Sequence, residues 1–233
     1  MGCMRSITKQ SPMISSQVFD FLSALKQNND RTWFAAHKDS YEAAKSSVQN
    51  FLTAVFEPLS AVDALEKIHM FRIYKDVRFA KDKSPYKTHL SGYFARAGQS
   101  NKGDYYIHIE PDNSFIAVGY WDINKEELAR MRAEIDLDPQ GLKEIIEQAS
   151  FKKIWGSLTG PTLKSAPKGW DKNHPDIELL RRQNYVFTCP LDQSILNTPQ
   201  IAEQLVEKFE VARPFLVYLS EVLSTDLNGE SIE

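Results

Sequence analysis

Three side chains in Asp104–Glu110, DYYIHIE, could carry proton chemistry. Tyr106, His108 and Glu110 alternate, so on a strand they share one face, opposite Tyr105, Ile107 and Ile109. An imidazole titrates near neutrality, and a neighbouring carboxylate can orient it. His108 and Glu110 are therefore candidate acid–base groups, with the phenol of Tyr74 as a third. The second concentration of chemistry is Phe71–His89, FRIYKDVRFAKDKSPYKTH, which holds six of the chain's 28 Lys and Arg. Its alternation predicts a strand over 71–79. Phe71, Ile73, Val77 and Phe79 would face one side, and Arg72, Tyr74, Asp76 and Arg78 the other. Pro85 cannot donate to a ladder and biases Ser84 toward an extended conformation. A loop should follow, bringing Lys81, Lys83 and Lys87 to the end of the arginine row. Guanidinium forks suit phosphate and carboxylate. Arg72, Arg78, Lys81, Lys83, Tyr86 and Lys87 thus read as an anion-binding set, if the two polar rows lie side by side.

The bland reading of both rows is a solvated sheet face, where Arg, Glu, Tyr and His form cross-strand pairs. A whole face of convergent polar groups is harder to dismiss than one histidine. Familiar motifs are missing. His108-Ile109-Glu110-Pro111 has the H-x-E half of the zinc deaminase signature, but the P-C-x-x-C half is absent. The five histidines show neither H-x-H nor H-x-x-x-H spacing, so no metal ligand is assigned. There is no G-x-S-x-G, no P-loop and no Rossmann glycine fingerprint, which leaves any cofactor unknown.

Charge refines the picture. The net charge is −3 and the isoelectric point about 6.0, so the whole chain is no polyanion binder. Residues 71–100 hold seven basic side chains and two acidic ones, a local charge of +5 that leaves −8 for the remainder. Three functions from different classes follow. The first is binding, with or without turnover, of an anionic or phosphate-bearing small molecule on the polar sheet face. The second is a non-catalytic interaction module, whose basic loop 78–89 docks an acidic protein or nucleic acid. Nucleic acid is the weaker partner, because the rest of the chain is acidic and would repel it. In the third, the charges are structural, an ion-pair network that pins the loop to the sheet.

The elements that must position these residues read as α+β. Ser15 is an N-cap for a helix carrying Val18, Phe19, Phe21, Leu22 and Leu25. Asn28-Asn29 breaks it. Asp30 caps a second, long helix through Val55 that Pro58 ends or kinks. The hydrophobic period then drops to two. Strands are expected at 71–79, LSGYFARA, 104–110, 114–121 and 185–189, joined early on by short polar turns. Such connections favour an antiparallel meander of four to five strands over βαβ units. Asn124 and Asp138-Pro139 cap two later helices. Residues 156–176 read as a long loop, with Lys164, Lys168, Trp170, Lys172 and His174 as a second basic, aromatic surface. Thr198-Pro199 opens a last helix, which Pro214 should kink. Helices should pack mainly on one face of the sheet. Residues 13–224 form one α+β domain in this reading, between an N-terminal extension, 1–12, and a frayed tail, 225–233.

Cys3 and Cys189 make neither a disulfide framework nor a metal motif, which favours a reducing, cytoplasmic setting. No apolar run approaches the roughly 18 residues of a membrane span. The start, with Gly2, Cys3 and Ser6, fits a myristoylation signal beside a palmitoylatable cysteine, though so short a motif arises by chance.

The stretch FRIYKDVRFAKDKSPYKTH resembles a widespread microbial family catalogued as domain of unknown function 2461. DRTWFAAHKDSYEAAK, YYIHIEP, GYW and PKGWDKNHPDIELL extend the resemblance over roughly Met13 to Leu223. Arg72, Tyr74, Asp76, Arg78, Lys81, Asp82, Lys83, Pro85, Tyr86 and Lys87 match the family signature. Ala80 stands where members more often carry Ser. The resemblance implies no reaction, cofactor or catalytic residue.

Overall fold

The computed structural model describes residues 13–226 and 230–232; the Gly2/Cys3 lipidation signal and the extension 1–12 lie outside them. Helix α1 (Ser16–Gln27) starts where the Ser15 hydroxyl accepts from the Gln17 N–H. Asp30 caps α2 (Arg31–Ala36), its Oδ1 accepting from Thr32 and Trp33 at 2.8 and 2.9 Å. The long helix expected from Asp30 to Val55 is two. A break at His37 separates α2 from α3 (Lys38–Leu59), and Pro58 lies in the last turn.

Five strands follow: β1 (Leu65–Met70), β2 (Leu90–Arg96), β3 (Asp104–Ile109), β4 (Phe115–Tyr120) and β5 (Tyr185–Pro190). They form one antiparallel sheet in the order β1-β2-β3-β4-β5. Between β4 and β5 stand α4 (Lys125–Leu137), α5 (Pro139–Ile146), α6 (Ala149–Trp155) and α7 (Ile177–Leu180). Asn124 and Glu127 form a reciprocal capping box on α4, and Asp138 caps α5 with Pro139 at its first position. Helix α6 was not foreseen. The last helix, α8 (Ile201–Ser224), continues through Pro214. The expected frayed tail instead folds back in part: Asp226 N–H donates to Glu230 O, and Ile232 N–H to Ser224 O.

The main correction concerns the first strand. It is Leu65–Met70, not 71–79. Phe71 makes one last ladder bond to Ser91 O, and the chain then leaves the sheet. Residues 71–89 run out and back as an arm, closed at its base by a Tyr74–Tyr86 bridge with Lys75 N–H to Pro85 O and Lys87 N–H to Ile73 O. Of the four apolar residues expected to face the core, only Ile73 is buried. Phe79 is 96% exposed.

The helices cover one face of the sheet. Helix α3 lies over β1 and β2, α8 over β4, and α6 over β5. Phe94, Tyr105 and Phe187 point into that layer and meet Phe56, Phe209, Phe151 and Phe215. Gly92 lets α3 sit close to β2: a Cβ would stand 2.7 Å from the Leu52 side chain and 3.0 Å from His69 O, so Leu52 would have to shift. A buried ion pair locks the layers. Arg96 donates to Asp63 at 2.7 Å, and also to Leu216 O and the Ser220 hydroxyl of α8, while Tyr105 donates to Asp63 at 2.7 Å. Among the described residues no helix layer covers the opposite face of the sheet. Among the described residues no helix is long and apolar enough to cross a membrane.

Candidate functional site

The helix-free face holds a groove of about 720 Å³. That volume falls in the usual range for small-molecule sites, roughly 300–1,000 Å³. Alternation along the strands supplies its floor: Ser91 and Tyr93 from β2, Tyr106 from β3, Phe115 and Ala117 from β4, Val186 and Thr188 from β5. Phe71, Lys87 and His89, at the two ends of the arm, form one wall. Trp121, Asp122, Asn184 and Thr159–Pro161 close the other. The rings make a continuous surface. Phe71 lies 5.6 Å from Tyr93 and 6.3 Å from Tyr106, and Tyr106 lies 5.8 Å from Trp121. Phe71 and Trp121 remain 36% and 38% exposed, large apolar groups left open to solvent.

His108 sits at one edge of this floor and is buried. Phe115, its cross-strand partner, stacks on the ring at 4.5 Å. Its Nε2 lies 3.2 Å from Glu110 Oε2, and its Nδ1 2.9 Å from the Tyr106 hydroxyl. A carboxylate only accepts, so in the neutral imidazole Nε2–H donates to Glu110 and Tyr106 donates to Nδ1. Glu110 also accepts from Thr88 (2.7 Å) and Asn113 (2.8 Å). Burial raises its pKa, but these hydrogen bonds outweigh burial and hold it below the usual carboxylate range. Burial pushes the His108 imidazole down despite Glu110.

His89, which the sequence reading left out of the site, completes the cluster. Its ring centroid is 4.1 Å from that of His108. Burial, then the His108 charge, lower its pKa to about 4. The register Leu90↔Ile109 sets His89 opposite Glu110, on the same face as Ser91 and Tyr93. No pattern along its own segment marked His89, because its place opposite Glu110 is set by the β2–β3 register, which the Gln99–Gly103 turn does not fix. One donor atom each from His89, His108 and Glu110 lies within 4.8 Å of the other two.

The expected anion set is dispersed. Lys87 lines the groove, its ammonium 5.2 Å from the Phe71 ring centre. Burial, and then Arg72, lower its pKa. Arg72 itself lies in a neighbouring depression with Lys38, Tyr41, Glu42 and Tyr74. Arg78 forks onto Asp76, Lys75 pairs with Asp82, and Lys83 donates to the Val77 and Arg78 carbonyls. These pairs staple the arm internally at the surface, not in a buried network. Lys81 stands exposed on the arm and lines no part of the groove. Tyr86 is buried, stacked 4.0 Å from Phe34. Tyr74 packs on Phe34 and Tyr86, so the fold does not bring it to His108 and Glu110; the phenol that touches His108 is Tyr106. In the second basic loop His174 binds Asp136, and only Thr159–Pro161 reach the groove.

The arrangement defines an α+β protein with a helix-backed antiparallel meander and a polar, aromatic site on its bare face. The chain belongs to the family described as conserved hypothetical protein (DUF2461), which matches residues 17–218. No curated protein and no solved structure matches it.

Proposed function

We propose that the groove binds a small anionic molecule, carboxylate- or phosphate-bearing, with a flat apolar body. One observation carries this reading. Lys87 is a half-buried ammonium at the groove wall, and among the described residues no carboxylate forms an ion pair with it. An unpaired cation in such a place favours an anionic partner. Phe71, Tyr93, Tyr106 and Trp121 offer the apolar body its surface. Burial first, and the nearby Arg72 second, disfavour the Lys87 charge, and a bound anion would offset both. His108 and Glu110 stand close enough to the floor to move a proton if the ligand is turned over. The protein works, in this reading, in the reducing cytoplasm, with the buried Cys189 thiol unpaired.

Calorimetry with phenyl phosphate, benzoate and inorganic phosphate tests it. Phenyl phosphate should bind more tightly than phosphate alone, Lys87→Met should abolish the binding, and Arg78→Ala should leave it intact. Absence of binding, or binding indifferent to Lys87→Met, would overturn the reading.

A second reading draws on Phe79, fully exposed near the arm's tip between Arg78 and Lys81. An aromatic flanked by cations suits an acidic protein partner. Salt-sensitive retention on single-stranded DNA or heparin would point to nucleic acid instead. Indifference to both, together with no Phe79-dependent capture of an acidic peptide, would remove the arm from consideration.

A further inference from the structure

We propose that His89, His108 and Glu110 hold a divalent first-row transition-metal ion at the edge of the groove floor. The donor set fits that class. Two imidazoles and a carboxylate suit Zn²⁺ or Fe²⁺, whereas Mg²⁺ and Ca²⁺ prefer oxygen alone. The geometry fits as well. Bonds of about 2.0–2.2 Å place neighbouring ligand atoms roughly 3–3.5 Å apart. His108 Nε2 and Glu110 Oε2 already stand 3.2 Å apart, and one donor atom from each of His89, His108 and Glu110 lies within 4.8 Å of the other two.

The groups behind the three ligands are those a metal site needs. The Tyr106 hydroxyl meets His108 Nδ1, the nitrogen facing away from the cluster. When Nε2 takes the ion, the proton moves to Nδ1, and Tyr106, which can accept as well as donate, keeps that hydrogen bond. Thr88 holds Glu110 Oε1, and Asn113 donates to Oε2, so the carboxylate is fixed before the ion arrives. Phe115 packs on one face of the His108 ring. Three protein ligands leave at least one coordination position, as in sites where a metal binds water or substrate. Lys87, on the same wall as His89, favours an anion there.

This inference stands apart from the reading of the groove ligand, because the ion is measured with no organic ligand present. The full-length protein, freed of metal with a chelator, is titrated with Co²⁺ and then Zn²⁺. We expect one equivalent of Co²⁺, visible d–d absorption, and its loss on adding Zn²⁺. His89→Ala and Glu110→Gln should each weaken binding by at least about 10-fold. His37→Ala, at the α2–α3 junction and not a member of the cluster, should not. Should the variants misfold by circular dichroism, proton NMR of the unmutated protein decides: Co²⁺ should shift the ring protons of His89 and His108 and spare those of His37. No uptake, uptake unchanged in folded variants, or shifts elsewhere would overturn the proposal and leave the trio a hydrogen-bonded structural cluster.

Discussion

His89 and His108 lie ring beside ring, 4.1 Å between centroids, one just before β2 and the other within β3. Two imidazolium ions could not share that space. Burial and mutual repulsion hold His89 neutral down to about 4, and burial also lowers His108. Both rings therefore present lone pairs at neutral pH. The pair depends on strand register, since Ser91 opposes His108 and His89 is two residues back on the same face.

Tyr106→Phe should expose how that register is used. The substitution keeps the ring that spans Phe71, Phe115 and Trp121 and removes the hydrogen bond from Tyr106 to His108 Nδ1, the one made to that nitrogen among the described residues. A loss of about 1–3 kcal/mol in urea unfolding is expected, the usual effect of orphaning a buried polar atom. An unchanged midpoint would show that Nδ1 finds another partner.

Asn29→Ala should loosen the arm without touching its charges. The Asn29 amide donates to Tyr86 O at 3.0 Å and accepts from Tyr86 N–H at 3.1 Å, a two-point clamp from the α1–α2 junction. Limited proteolysis followed by mass spectrometry should show faster cutting within 76–83. Equal rates in both proteins would mean that the Tyr74–Tyr86 bridge and the Phe34 stack suffice.

Asp63→Ala should be far more damaging. It leaves the Arg96 guanidinium, 3% exposed, without its carboxylate, and removes the acceptor of Tyr105. Breaking one side of a buried pair costs about 3–5 kcal/mol. Asp63→Leu with Arg96→Met should lose less than either single change, measured as a double-mutant cycle. Additive losses would contradict a coupled pair.

Alkaline titration should unfold the protein. Burial, and then Glu127, push Tyr120 up to about 12, and burial pushes Tyr105, Tyr185 and Tyr218 well above the ordinary range. In the unfolded chain these phenols ionise near pH ~10. Above that the folded state holds more protons than the unfolded one. Stability is therefore full below pH ~10 and falls as pH rises toward the folded values. Denaturant midpoints between pH 8 and 12 and tyrosinate absorbance check this, with Tyr120→Phe giving a shallower fall. Free ionisation near pH 10 in the folded protein would refute it.

Local signals were readable in the chain. Ser15, Asp30, Asn124 and Asp138 cap helices because a short polar side chain can satisfy a first-turn N–H without help from elsewhere. β2 to β5 were legible because each turns a buried face to the helices. β1 was missed for the opposite reason. It is an edge strand with Glu66, Lys67 and His69 along it, and weak burial leaves a weak pattern. The stronger alternation over 71–79 belongs to charges that pair among themselves on the arm.

What the sequence by itself determined is the polar row Tyr106–His108–Glu110, since alternation along one strand is a property of that strand alone. The tertiary structure decided what that row meets. Pairing in register set His89 against Glu110, the arm brought Lys87 to the groove, and its own carboxylates drew Arg78 and Lys75 away. Those contacts depend on which segments lie opposite each other, and that is fixed only when the sheet closes on its helices and every buried face has found its cover.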